Sequence, residues 1–233
     1  MKLFVFLNLF FISFQFPGIT QDFLLGKSQV GLVKTEEYTL LKEVDSAYQV
    51  MKQAALNDGI DIQVVSSYRS FEHQKAIWNR KYTRYTNKGM PADEAISKIV
   101  KYSTIPGTSR HHWGTDIDII QRNVKQPSKS VLLEENYEAG GAYEKLKNWM
   151  DSNAESFGFH LVYTNNENRK GFSYEPWHYT YASKSKELLK YYRQIDILSV
   201  LKSSSVKGSQ YFDEEFLKVY IQENILDINP KLK

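Results

Sequence analysis

The chain has 233 residues and no cysteine. Disulfide staples are therefore excluded, as is any metal site built on thiolates, and stability has to come from core burial. A dominant charge of one sign is also missing. The formal net charge is +3, and setting aside Lys2, the single charge within Met1–Gln21, makes it +2. That is too mild to argue for nucleic acid as a partner. There is no internal repeat and no low-complexity tract. Long apolar runs are lacking except for Leu3–Phe16. That run is short for a membrane-spanning helix and has the length of a signal h-region. With Pro17-Gly18-Ile19-Thr20 as its cleavage region, Met1–Gln21 is predicted to be a signal peptide, with an uncleaved anchor as the alternative. No cysteine follows it, which argues against a lipoprotein anchor.

What the chain does have is a concentration of imidazoles and carboxylates. Ser109-Arg110-His111-His112-Trp113-Gly114-Thr115-Asp116-Ile117-Asp118 is answered far downstream by Glu175-Pro176-Trp177-His178. Zinc favours imidazole and carboxylate where no thiolate exists, and a hydrolytic zinc site needs three protein ligands, an open position and a nearby base. Asp116-Ile117-Asp118-Ile119-Ile120 alternates like a half-buried strand, with both carboxylates on one face. Two carboxylates side by side are costly unless a cation sits nearby. The alternation alone does not choose between them. Gly114 permits a tight turn between His111 and that strand. On a straight strand Glu175 and His178 would face opposite ways, so a turn or bulge is expected at Trp177.

The first run reads Ser-x-His-x-x-Gly-x-Asp-x-Asp and resembles the Ser-x-His-x-x-Gly-x-Ala-x-Asp signature of VanY-type D-alanyl-D-alanine carboxypeptidases. Glu175-Pro176-Trp177-His178 is similar to that family's Glu-x-x-His element. Ser67-Tyr68-Arg69-Ser70 with Gln74 is similar to its upstream Tyr-Arg-Ser…Gln segment. The three occur in family order over about the middle half of the chain. The resemblance implies that His111, Asp118 and His178 are zinc ligands and Glu175 the general base. It implies that Arg69 contacts substrate and steadies the oxyanion, and that Ser109 and Gln74 are substrate-binding or supporting residues. Asp116 departs from the pattern, which has Ala there. Two readings of it stand equal: orienting a ligand imidazole, or a salt bridge to a nearby Arg. The pattern's Ala predicts that Asp116→Ala keeps the metal and most activity. The spacing to Gly114 and Asp118 favours His111 over His112 as ligand. His73, His112 and His160 read as structural.

Periodicity predicts a helix through Leu40, Val44, Ala47, Tyr48, Met51, Ala54 and Ala55, ending at Asn57-Asp58-Gly59. A strand near Ile62–Ser67 follows, with Arg69 at its junction to a helix near Phe71–Lys81 capped by Ser70. Tyr82–Met90 reads as a polar loop, and Pro91 opens a helix reaching about Tyr102. A helix near Tyr143–Ser156 precedes a hairpin of Phe159–Tyr163 with Phe172–Tyr181. The tail offers helices near Lys184–Leu201 and Asp213–Asn224.

The expected class is α+β: a small mainly antiparallel sheet with flanking helices and the zinc site on the sheet. The expected organisation is a signal peptide over 1–21, a peptidase domain over 22–182, and a helical extension over 183–233 packed on it. By resemblance the chain is a zinc metallopeptidase, exported to the periplasm or cell envelope, removing the terminal D-Ala from peptidoglycan stem peptides. A D-Ala-D-Ala dipeptidase or peptidoglycan endopeptidase of the same chemistry is the alternative. An inactive zinc-stabilised cell-wall binding module is the alternative of another class. The expected form is a monomer without a membrane span once matured.

Overall fold

The computed structural model describes residues 19–233. Residues 1–18, most of the predicted targeting segment, lie outside the described residues. No helix among the described residues is long and apolar enough to cross a membrane.

A short helix α1 (Gln21–Leu24), capped by the Thr20 hydroxyl, leads into a hairpin of β1 (Leu32–Lys34) and β2 (Thr39–Leu41). Leu40 belongs to this hairpin rather than to the following helix α2 (Lys42–Asn57). Then come β3 (Ile62–Ser66), α3 (Phe71–Thr86), α4 (Ala92–Val100), β4 (Asp116–Gln121), α5 (Glu144–Asn153), β5 (Phe159–Leu161) and β6 (His178–Tyr181). The tail forms α6 (Ala182–Tyr192), α7 (Ile197–Lys202) and α8 (Glu214–Tyr220), the last running on as a π-turn over Ile221–Ile225.

Several expectations need correcting. α3 continues to Thr86 because Trp78, Tyr82 and Tyr85, at spacings of four and three, lay one aromatic stripe on the core. The basic residues of Tyr82–Met90 obscure that stripe in the sequence. The tail helix near Lys184–Leu201 is broken between Tyr192 and Ile197, where the Asp196 side chain caps a new start. The long strand expected over Phe172–Tyr181 shrinks to His178–Tyr181.

The main sheet is antiparallel throughout, in the order β3-β4-β6-β5. Its pleat sorts the chemistry. Ile62, Val64, Ile117, Ile119, Phe159 and Tyr179 face α2 and α5 in one apolar core with Tyr48, Met51 and Trp149. Asp116, Asp118, His178 and Thr180 occupy the opposite face. The register sets Asp118 against His178 and Asp116 against Thr180. β4 is buried at all six positions rather than half-buried. Its polar face is also covered, by the loop carrying Arg110–Trp113 and by a second core built from α3, α4, α1 and the tail helices.

Candidate metal centre

The first motif folds as a 3-10 turn over Arg110–Trp113, ended by Gly114 at φ 66°. A Cβ on Gly114 would meet the Leu32 side chain at 2.5 Å and the Leu41 backbone nitrogen at 3.2 Å. Only glycine suits both the left-handed backbone and the close approach of the β1–β2 hairpin. Downstream, Pro176 and Trp177 form a turn closed by the His178 N–H on the Glu175 carbonyl at 3.0 Å. The turn expected at Trp177 is present, and it brings the Glu175 side chain back to His178. Glu175 therefore sits on the turn before β6, not on a strand.

His111, Asp118 and His178 offer ligand atoms that all lie within 4.8 Å of one another, and all three residues are buried. His111 Nε2 is 3.5 Å from Asp118 Oδ2, and His178 Nδ1 is 3.8 Å from Asp118 Oδ1. The remaining nitrogen of each ring is held from behind. His111 Nδ1 lies 2.8 Å from the Ser67 carbonyl, so it carries the hydrogen and leaves Nε2 free. His178 Nε2 lies 2.9 Å from Asp116 Oδ2, and a hydrogen there leaves Nδ1 to face Asp118. Two imidazoles with fixed tautomers and one carboxylate make a three-ligand donor set of the kind zinc takes. Asp118 Oδ1 is sealed from solvent and receives no hydrogen bond. A buried carboxylate oxygen without a donor fits a position meant for a cation.

The electrostatics fit the same position. Burial pushes His111 down to about 4. Burial also opposes charge on His178, but Asp116, Asp118 and Glu175 surround it and hold it up at about 10. Positive charge at His178 Nδ1 is thus strongly favoured.

Asp116 satisfies both readings at once. Its Oδ2 accepts from Arg110 Nε at 2.9 Å and from His178 Nε2, while its Oδ1 accepts from the Thr115 hydroxyl at 2.6 Å and the Thr180 hydroxyl at 2.5 Å. Burial would raise its pKa, yet Arg110 and His178 hold it well below the usual carboxylate range. Arg110 is itself buried, stacked 4.9 Å over the Trp113 ring. These contacts are a reason against the tolerance expected of Asp116→Ala.

The other site residues divide. Arg69 and Ser109 line a cavity of about 230 Å³ in front of the triad, together with Glu175, Tyr163, Phe172 and Trp177. Glu175 Oε2 lies 2.9 Å from His178 Nδ1. Gln74 is not among the residues lining the cavity, a placement that agrees with the supporting half of its expected role. It is fully buried, accepts from Arg69 Nη1 at 2.9 Å and donates to the Thr104 carbonyl at 2.7 Å. Its role is to hold Arg69, whose Nη2 is fixed by the Ser66 hydroxyl at 3.1 Å. His112 is fully buried, with Nδ1 on the Arg69 carbonyl and Nε2 accepting from the Gly107 N–H, so neither nitrogen is free for a metal. His73 and His160 lie outside the cavity wall.

Tyr163, Phe172 and Trp177 escaped the sequence reading, because aromatic residues are also ordinary core material. Arg110 carried a readable signal, a cation inside the motif six residues before the unusual carboxylate.

Two histidines and one carboxylate at one face of an antiparallel sheet, with a spare carboxylate beside them, form a donor set of the kind a hydrolytic metal site uses. The D-alanyl-D-alanine carboxypeptidase family, VanY, matches residues 37–184, well over half of the chain. The chain belongs to that family. It is similar to a D-alanyl-D-alanine carboxypeptidase of Enterococcus faecalis, 31% identical over 58% of this chain and 45% of that protein. It spans about half the length of the curated relatives it matches. Among solved structures it resembles a vancomycin resistance D,D-pentapeptidase VanY in complex with Zn(II), at 27% identity and a TM-score of 0.51 over 70% of this chain and 84% of that one. It also resembles VanYB in complex with D-alanine-D-alanine, at 26% identity and a TM-score of 0.51 over 75% and 89%.

Proposed function

We propose that this chain is a zinc carboxypeptidase that removes the terminal D-Ala from peptidoglycan stem peptides. The observation that carries the reading is the convergence of His111, Asp118 and His178 within 4.8 Å, with Glu175 Oε2 2.9 Å from the same imidazole. Held by His111 Nε2, Asp118 and His178 Nδ1, zinc would supply a lowered pKa for water and Lewis-acid polarisation of the scissile carbonyl. Glu175 takes the proton of the attacking water and passes it to the leaving amine. Arg69, its guanidinium fixed by Gln74 and Ser66, directs donors at the developing oxyanion. Ser109, on the same wall, is a substrate contact. The substrate class is supported by family membership and by the similar VanYB complex with D-alanine-D-alanine. The reading as an inactive binding module is disfavoured by Glu175, since a purely structural metal needs no base within hydrogen-bond reach.

Such a substrate lies outside the cytoplasmic membrane, which agrees with Met1–Gln21 acting as an export signal. Fractionation of cells would find the protein in the envelope, and a full-length cytoplasmic pool would contradict export. The activity is tested on the purified protein with a pentapeptide ending in D-Ala-D-Ala. Release of D-Ala that stops with a chelator and returns with zinc supports the reading. Release of the intact dipeptide, or no release at all, overturns it.

A further inference from the structure

The family match ends at residue 184, and no residue of the tail lines the cavity. The tail nonetheless holds both of its walls. We infer that the segment Tyr220–Asp227 is a positioning clamp that sets the distance between the Thr104–Ser109 wall and the Tyr163–Phe172 wall, and so determines how the substrate fits.

On the first wall, the Tyr220 hydroxyl accepts from the Ile105 N–H at 3.0 Å and lies 2.8 Å from Thr108 Oγ1. Thr108 Oγ1 already donates to the Ile105 carbonyl at 2.8 Å, so its one hydrogen is spent and Tyr220 donates to it. Both hydrogen-bonding directions of the phenol are used, in a fully buried site. Thr104, next in the chain, passes the constraint on: its carbonyl fixes Gln74, and Gln74 fixes Arg69. A continuous set of contacts therefore joins a residue of α8 to the cavity guanidinium.

On the second wall, the Asp227 carbonyl accepts from Arg169 Nε at 2.9 Å and Asp227 Oδ2 accepts from the Lys170 N–H at 2.7 Å. Arg169 in turn donates to the carbonyls of Thr164 and Phe172 and stacks 5.2 Å over the Tyr163 ring. Tyr163 meets His178 edge-on at 5.2 Å. The π-turn between the two anchors brings the Glu223 carbonyl so close to Gly171 that a Cβ there would lie 1.8 Å from it. One eight-residue segment thus touches both walls, and its widened turn is what allows the second contact.

The clamp predicts a particular kinetic signature, which rests on the peptidase reading; its effect on backbone opening does not. Tyr220→Phe keeps the ring packed but removes both hydroxyl bonds. Asp227→Ala frees Lys170, and Asp227→Asn keeps an acceptor. Leu201→Ala, a core truncation in α7 that removes none of the hydrogen bonds named above, serves as the stability control. With wild-type turnover on a D-Ala-D-Ala peptide established, Tyr220→Phe and Asp227→Ala should each raise KM about tenfold with zinc content unchanged, and Tyr220→Phe, whose contacts run through Gln74 to Arg69, should also lower kcat. Asp227→Asn should restore KM, and Leu201→Ala should lower the melting temperature without raising KM. Amide hydrogen exchange should speed up at 103–109 in Tyr220→Phe and at 164–172 in Asp227→Ala. If wild-type protein turns over but KM holds in both clamp variants, or rises equally in Leu201→Ala, the inference fails and the peptidase reading stands. If wild-type protein is inactive, that reading fails, and unchanged exchange in the two loops would overturn the clamp separately.

Discussion

Asp116 Oδ2 lies 2.9 Å from His178 Nε2 and 2.9 Å from Arg110 Nε, so one buried carboxylate both fixes the tautomer of an imidazole and neutralises a buried guanidinium. Removing it has two separate consequences. As the ligand proposed above, His178 would lose the partner that turns Nδ1 towards the metal, a type of loss that typically weakens binding about 10- to 100-fold. Arg110 keeps a buried charge with no counter-charge, at a cost on the order of 3–5 kcal/mol. Asp116→Ala is therefore expected to lose zinc affinity and melting temperature together. Adding Arg110→Met should recover much of the stability but not the affinity. Zinc titration and thermal unfolding of the single and double variants check this; an Asp116→Ala protein with wild-type affinity would show that Asp116 does not orient His178.

The site's histidines make the stability of zinc-stripped protein depend on pH in both directions. His178 is held near 10 in the folded chain against 6.5 for a free imidazole. Its contribution is present below pH 6.5 and is lost as pH rises towards 10. His111 and His112 are pushed by burial to about 4, the opposite shift. Their neutral folded forms lose stability as pH falls from 6.5 towards 4. Stripped protein should thus be most stable near pH 6.5. Zinc held at His178 Nδ1, as proposed, would displace that proton, so loading should flatten the alkaline arm, and affinity should rise about tenfold per pH unit while the proton is being displaced. Melting curves from pH 4 to 10 with and without a chelator test the sign; a stripped protein that is flat between 6.5 and 10 would contradict it.

The parts of the site that could be read from the sequence are those set by local geometry. Alternation in β4 puts Asp116 and Asp118 on one face, and the turn at Trp177 follows from the need to turn Glu175 towards His178. Gly114 is explained by a turn that only glycine fits. What could not be read is long-range. Nothing local reveals that Gln74 lies behind Arg69 rather than on the cavity wall. Nor does anything near Tyr220 announce a hydrogen bond to Ile105, 115 residues earlier. The sequence left Asp116 undecided between two partners because either contact alone would account for a buried carboxylate. The packed structure supplies both.

Arg69 offers a test of the fork geometry. Its Nη1 and Nη2 are held by Gln74 and Ser66, which fixes the guanidinium on the cavity wall. Lysine keeps the charge but cannot make both anchoring bonds and still present a fixed donor. Arg69→Lys is expected to retain zinc and fold while kcat falls about 10²–10³-fold, the usual cost of losing one oxyanion donor. Steady-state kinetics on the D-Ala-terminated peptide decide it; unchanged kcat would remove Arg69 from the oxyanion role.

Glu175→Gln separates the base from the ligands. Gln keeps the shape of Glu but cannot accept the proton of water. Glu175 is assigned as base, so zinc content and melting temperature should survive the change. The loss should fall on turnover rather than affinity, because the base acts in the transition state. A positioned general base contributes about 10²–10⁴-fold, which sets the expected fall in kcat. Zinc content and turnover should be measured on the same preparation. Metal kept with turnover lost supports the mechanism. Metal lost would make Glu175 a fourth ligand, and the 2.9 Å contact to His178 Nδ1 would then mark a coordination position. Metal and turnover both kept would move the base elsewhere. Asp116 could not take its place, since four donors already occupy both of its oxygens. Among the carboxylates lining the cavity only Asp118 would then remain, and it cannot serve as ligand and base at once.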